Sequence, residues 1–176
     1  MHKTIWTLGH STRTSEEFTN ILLYFGIEIV ADVRSFPGSR KFPQFNKENM
    51  ERWLADHGFK YVHFKNLGGR RKADPDSINT GWRLASFRGY ADYMQSECYK
   101  NGIKDLKSLA AEKKVAYMCS EAVWWSCHRS LISDDFKNTG WEVIHIMKEG
   151  VSMEHPYTKP AKIINGILTY PPEIKI

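Results

Sequence analysis

No stretch of this chain approaches the ~18 consecutive apolar residues of a membrane span, so no association with a bilayer is expected. Its opening residues, Met1-His2-Lys3-Thr4-Ile5-Trp6, carry charge but no apolar run behind it. A secretory signal is therefore not read there, and the expected location is cytoplasmic. Cysteine is scarce: Cys98, Cys119 and Cys127 are an odd number, which argues for free thiols in a reducing compartment rather than a disulfide framework. Neither a Walker loop nor a G-x-G-x-x-G turn occurs, so ordinary ATP or dinucleotide binding lacks support. Repeats, low-complexity tracts and Gly/Ser linkers are also missing, and the 176 residues read as one domain, 1–176. A chain of this size buries about 70% of its unfolded surface, so no disulfide, metal or other cofactor is required for folding.

What is present suits a soluble globular fold: 41% apolar and 26% charged residues. The net charge of +5 and pI near 9.0 favour an anionic partner, though ordinary surfaces also carry such an excess. Strand and helix patterns alternate. Ile5 to Leu8 reads as a first strand. Thr14 to Glu17 is a capping box opening a helix with Phe18, Ile21, Leu22 and Phe25 on one stripe and Gly26 at its end. Ile29 to Val33 is a second strand, apolar as a strand covered on both faces must be. A Pro-rich loop from Arg34 to Phe45 precedes a helix capped by Asn46 and carrying Met50, Trp53, Leu54 and His57. Tyr61 to Phe64 is a third strand, followed by a long polar loop from Lys65 to Ser86. Two helices come next, around Tyr90 to Met94 and Leu106 to Ala110, and Val115 to Cys119 is a fourth strand. The spacing of Trp124, Cys127, His128, Leu131 and Ile132 predicts a further helix, and Val143 to Met147 a fifth strand. Ile163 to Leu168 reads as an edge segment.

This order implies an α/β fold: a mainly parallel sheet of about five strands with helices on both faces. Ligands of such sheets bind beyond the carboxyl ends of the strands. Chemically able residues gather there: Gly9-His10-Ser11 after strand one, Asp32-Val33-Arg34 at strand two, Gly68-Gly69-Arg70-Arg71 after strand three and Cys119-Ser120-Glu121 at strand four. Cys127 near a helix start would have its thiol pKa lowered by free N–H groups and could act as nucleophile, or it packs as an ordinary buried cysteine. Glu121 would move protons, Cys119 would serve as nucleophile or ligand, and Arg129 would hold a phosphate or carboxylate. Asp32 and Arg34 point to one face; together they form either a structural ion pair or a proton acceptor with an anion clamp. Arg40 adds a second guanidinium on the Pro-rich loop, His10 an acid, base or hydrogen-bond donor, and Ser11 and Gly69 complete the expected substrate contacts. Cys119, Cys127 and His128 together offer a three-ligand metal site, so a metal or haem protein is one alternative. Another is a non-catalytic nucleic-acid module, because Arg70, Arg71, Lys72, Arg83 and Arg88 alternate with Trp82, Phe87 and Tyr90.

Taken together, Gly9-His10-Ser11, Asp32-Val33-Arg34, Pro37 to Arg40, Phe42, Leu67-Gly68-Gly69, the Phe87-Tyr90-Met94 stretch, Cys119-x-Glu121 and Cys127-His128-Arg129 resemble the domain of unknown function 488 family. Val123-Trp124-Trp125-Ser126, His155-Pro156 and Leu168 to Pro171 are similar to one subgroup of it. The resemblance implies a shared α/β fold and a shared pocket, and brings no established reaction. The function expected is an enzyme binding an anionic small molecule, with a nucleotide as one form of it, in a Cys/Glu/Arg cleft.

Overall fold

The computed structural model of the protein describes residues 3–173. Its centre is a six-stranded sheet in the order β3-β2-β4-β1-β5-β6. The strands are β1 (Thr4–Gly9), β2 (Ile29–Asp32), β3 (Lys60–His63), β4 (Val115–Cys119), β5 (Glu142–Lys148) and β6 (Val151–Glu154). The first five are the expected parallel strands. The sixth, antiparallel to β5 at the sheet edge, is an addition to the expected five: its Val-Ser-Met-Glu run is too short to signal a strand, and all four residues are exposed. A separate hairpin, β7 (Lys162–Ile164) and β8 (Ile167–Thr169), replaces the expected edge segment. It turns at Asn165-Gly166, both with positive φ, the dipeptide that two-residue hairpins favour.

Helices α1 (Ser15–Phe25) and α2 (Lys47–Asp56) cover one face of the sheet. Helices α3 (Ala85–Tyr93), α4 (Glu97–Glu112) and α5 (Arg129–Asn138) cover the other. Strand alternation sets this division. Ala116 and Met118 pack with Phe18, Leu22 and Leu54, whereas Val115, Tyr117 and Cys119 pack with Tyr90, Leu106 and Leu131. The capping box of α1 forms as the sequence requires, with Gly26 left-handed at φ 65° behind it. At α2 the Asn46 side chain makes no cap bond; its Oδ1 accepts from the Ser39 N–H instead, bracing the Pro-rich loop.

The helix expected from Trp124 onward starts later. Trp124–Ser126 is a single 3₁₀ turn, Cys127 is extended at φ −142° and ψ 171°, and α5 begins at Arg129. The burial stripe is real, for Trp124, Cys127, Leu131 and Ile132 are all buried, but two kinds of backbone deliver it. That break sets Cys127 outside the helix, with the Arg129 backbone N–H toward its thiol and the Ser130 N–H on its carbonyl.

Behind β5 lies a fully buried carboxylate, Asp134. It accepts from the Thr158 N–H and hydroxyl and from the Tyr170 hydroxyl, and faces His155 Nε2 at 2.9 Å. His155 Nδ1 meets His145 Nε2 at 2.8 Å, and His145 stacks on Trp124 with centroids 4.4 Å apart. His155, Thr158 and Tyr170 make up for solvation that the carboxylate loses on burial.

Candidate active site

Strand β4 lies between β1 and β2, whose following helices cover the α1/α2 face, while β4 itself feeds α5 on the opposite face. Connections leaving in opposite directions open a crevice over the carboxyl end of β4. A cavity of about 390 Å³ occupies that place. It is bounded by the loop after β2 (Arg34, Ser35, Phe36), the loop after β3 (Gly69, Arg70), the start of α3 (Ser86, Phe87, Tyr90) and both Cys119–Glu121 and Ser126–His128. Arg34, Gly69, Cys119, Glu121 and Cys127 are thus brought to one cavity.

Its floor is an arginine with two sulfurs. Arg129, 1% exposed, donates through Nε to Cys119 Sγ at 3.1 Å and Cys127 Sγ at 3.3 Å. Its Nη1 donates to Thr7 Oγ1 and its Nη2 to the Glu121 carbonyl at 2.6 Å. Those bonds go to two sulfurs, a hydroxyl and a carbonyl, and none to a carboxylate. A guanidinium sealed from water needs a negative partner, and a thiolate is the group in reach. Burial alone pushes the Cys127 thiol up. The hydrogen bond from Cys119, the Arg129 charge and the Arg129 backbone N–H outweigh it, so Cys127 sits well below the ordinary thiol range. Cys119 is driven the other way, first by burial and then by the hydrogen bond it donates to Cys127 across 2.9 Å. One sulfur holds the proton and the other the charge.

Around this floor the side chains divide by function. Gly9 sits where a Cβ would fall 1.6 Å from the Glu121 carbonyl oxygen, so only glycine lets the β4 loop bring that carbonyl onto Arg129. His128 Nε2 donates to the Val33 carbonyl at 2.8 Å, and burial keeps the ring neutral by lowering its pKa. Its Nδ1 faces Gly69, where a Cβ would stand 3.0 Å away. The imidazole is therefore turned from the sulfurs, and the three-ligand set of Cys119, Cys127 and His128 is not brought together. Among the described residues no group of three or more His, Cys, Asp or Glu side chains is placed to hold a metal ion.

Asp32 and Arg34 form the structural ion pair, not an open acid and clamp. Asp32, fully buried, accepts from Arg34 Nε at 2.9 Å, Arg34 Nη2 at 2.6 Å and the Tyr61 hydroxyl at 2.6 Å. Arg34 Nη2 also reaches the Phe45 carbonyl, and Nη1 meets His10 Nε2 at 3.3 Å. His10 is buried against Phe45, and its Nδ1 meets the Ser11 carbonyl at 2.9 Å. Desolvation, with the Arg34 charge adding to it, lowers its pKa to about 4 against the bond to Ser11, so it stays neutral. Asp32 and His10 thus orient Arg34 from behind and do not face the cavity. Ser11 has φ 49° and bonds the Ser120 carbonyl through its backbone N–H, again away from the cavity. Arg40 is exposed on its loop and does not line it.

The cation free at the cavity mouth is Arg70. It is exposed at the rim, 6.0 Å over the Phe36 ring, and makes no salt bridge among the described residues. The sequence names it at the edge after strand three and as one of five charges in the basic loop, without assigning it to the anion. Its neighbours are committed elsewhere: Arg71 bonds the Gly68 carbonyl and lies 3.6 Å over Tyr93. Trp82 stacks on Phe87, and Phe87 and Tyr90 are buried in the wall of the cavity.

A family model described as Domain of unknown function DUF488 matches residues 14–135, over half the chain. The chain belongs to that family. The matched span of this DUF488 protein carries every cavity-lining residue from Arg34 to His128, together with Arg129 beneath them. Thr7 and Gly9 of β1, and His10 and Ser11 after it, lie outside it. No curated protein and no solved structure matches the chain. Among the described residues no helix is long and apolar enough to cross a membrane.

Proposed function

We propose that this protein is a thiol-dependent enzyme acting on an anionic small molecule in the cavity over β4. The observation that carries the reading is Arg129: a buried guanidinium bonded to two sulfurs and, among the described residues, to no carboxylate, which stabilises Cys127 as a thiolate at the floor of a solvent-reachable pocket. Cys127 attacks the electrophilic centre of the substrate. Arg70 draws the anionic group to the rim, with the exposed Ser86 and Ser120 as its neutral neighbours. Glu121, exposed at the same rim, exchanges protons with the leaving group. Arg34, already paired with Asp32, shapes the wall and contributes little free charge.

Alkylation tests this without knowledge of the substrate. In a Cys98→Ser background, which removes the exposed third thiol, Cys127 is expected to react with iodoacetate at pH 6, well below the range of ordinary thiols near 8.5. The anionic iodoacetate should be favoured over neutral iodoacetamide relative to free cysteine, and Arg70→Gln should remove that preference. Reaction only near the ordinary thiol pKa, with no preference between reagents, would overturn the proposal.

A further inference from the structure

We propose that Cys119 and Cys127 work as a redox pair that reduces a carboxylate-bearing, low-molecular-weight disulfide. The inference rests on the reading of this cavity as an anion-binding thiolate site and names its substrate. A nucleophilic cysteine needs one sulfur; this cavity presents two. Both line the pocket, their Sγ atoms are 2.9 Å apart, and a covalent S–S bond is about 2.05 Å, so bonding distance lies less than an ångström away. Arg129 Nε donates to both sulfurs at once, which lets negative charge pass from one to the other without losing its partner. Cys119 stands at the end of a central strand, whereas Cys127 is the extended residue that follows the 3₁₀ turn, so two separate elements bring the sulfurs together.

The steps balance without a further reactant. The Cys127 thiolate attacks one sulfur of the substrate RSSR, the S–S bond breaks, and RS⁻ leaves with the electron pair, giving a mixed disulfide on Cys127. Cys119 then loses its proton to the departing RS⁻, and its sulfur attacks Cys127 Sγ. The second RS⁻ leaves and is protonated from water. RSSR is reduced to two thiols and the protein dithiol is oxidised to the Cys119–Cys127 disulfide. A carboxylate on R meets Arg70 at the rim, and about 390 Å³ accommodates one half of such a molecule while the other half faces solvent.

The experiment uses the reduced full chain carrying Cys98→Ser, without oxygen, and oxidised glutathione as the anionic probe. Whole-protein mass and thiol release are the readouts. The expected result is two thiols released per chain and loss of two hydrogens from the protein, while Cys119→Ser stops at one glutathione attached to Cys127. Cystamine, a cationic disulfide, should react about tenfold more slowly, and Arg70→Gln should close that gap. Release of a single thiol by the chain retaining Cys119, with glutathione left attached, overturns the pair; that readout stands even where Cys119→Ser does not fold. Oxidation by hydrogen peroxide but not by oxidised glutathione overturns the substrate class. Alkylation of Cys127 at pH 6 in a chain that never forms the disulfide sinks the redox pair and leaves the thiolate reading standing. Equal rates with glutathione disulfide and cystamine instead sink the anion preference.

Discussion

Arg129→Met is the sharpest perturbation of the site. Methionine keeps much of the volume and removes the charge, so its effect reports the electrostatics under Cys127. At 3.3 Å from Cys127 Sγ, and with an effective dielectric of about 20, the guanidinium attracts the thiolate by about 4 to 5 kcal/mol, which holds the thiol well below its ordinary range. The Cys119 hydrogen bond and the Arg129 backbone N–H remain in the variant, so part of the depression survives. Because Cys127 takes up a proton when the cation goes, no bare charge is left in the core. The stability cost should then stay near 3 kcal/mol, at the low end of the roughly 3–5 kcal/mol for a broken buried pair. Iodoacetamide alkylation followed from pH 5 to 10 gives the midpoint, and circular dichroism with urea denaturation gives the fold and its stability. The midpoint should rise toward the ordinary thiol range and the rate at pH 7 fall severalfold, the gain in intrinsic nucleophilicity offsetting most of the lost thiolate. A folded Arg129→Met protein with the parental midpoint would refute the buried-thiolate argument.

Gly9→Ala should cost about 3 kcal/mol or more in urea denaturation, since its Cβ overlaps the Glu121 carbonyl and the β4 loop must move off Arg129; a cost under 1 kcal/mol would mean the loop yields freely. Acid should destabilise the protein through its neutral histidines. His10 titrates near 4 when folded against about 6.5 unfolded, so below pH 6.5 the unfolded chain binds the extra proton and stability falls with pH until about 4. His10's share is about 3 kcal/mol, and His10→Gln should flatten the stability–pH curve between 6.5 and 4; an unchanged curve would show that His10 is not held neutral. Tyr61→Phe removes one donor from Asp32 but leaves Arg34 in place, so a loss of about 1 to 2 kcal/mol with unaltered Cys127 alkylation is expected. A shift in the alkylation midpoint would couple the two buried ion pairs.

The fold was legible where local signals are strong. Thr14 and Glu17 name the start of α1, Gly26 its end, and the apolar runs of β2 and β4 their burial on two sides. The edge strand β6 was not, because its residues face water and only pairing with β5 defines it. Asn165-Gly166 did carry a hairpin signal that the apolar count around it obscured. At the site, the sheet-edge argument named Cys119, Glu121, Cys127 and Arg34 in one cavity. It could not tell Arg34 from Arg70: whether a guanidinium is free depends on which carboxylate and carbonyls lie beside it, and Asp32, Phe45 and Met50 reach Arg34 through the tertiary fold. The same holds for His10, which a loop position suggested as a catalyst and which packing against Phe45 makes a support.

Asp134 carries a consequence for the extent of the domain. It is the last residue but one of the family span, yet its donors come from residues 155, 158 and 170, all beyond that span. A chain cut after β5 would keep an anion in its interior with those hydrogens gone. The cooperative unit of this protein therefore runs well past the segment by which its kinship is recognised, and the C-terminal stretch belongs to its foundations.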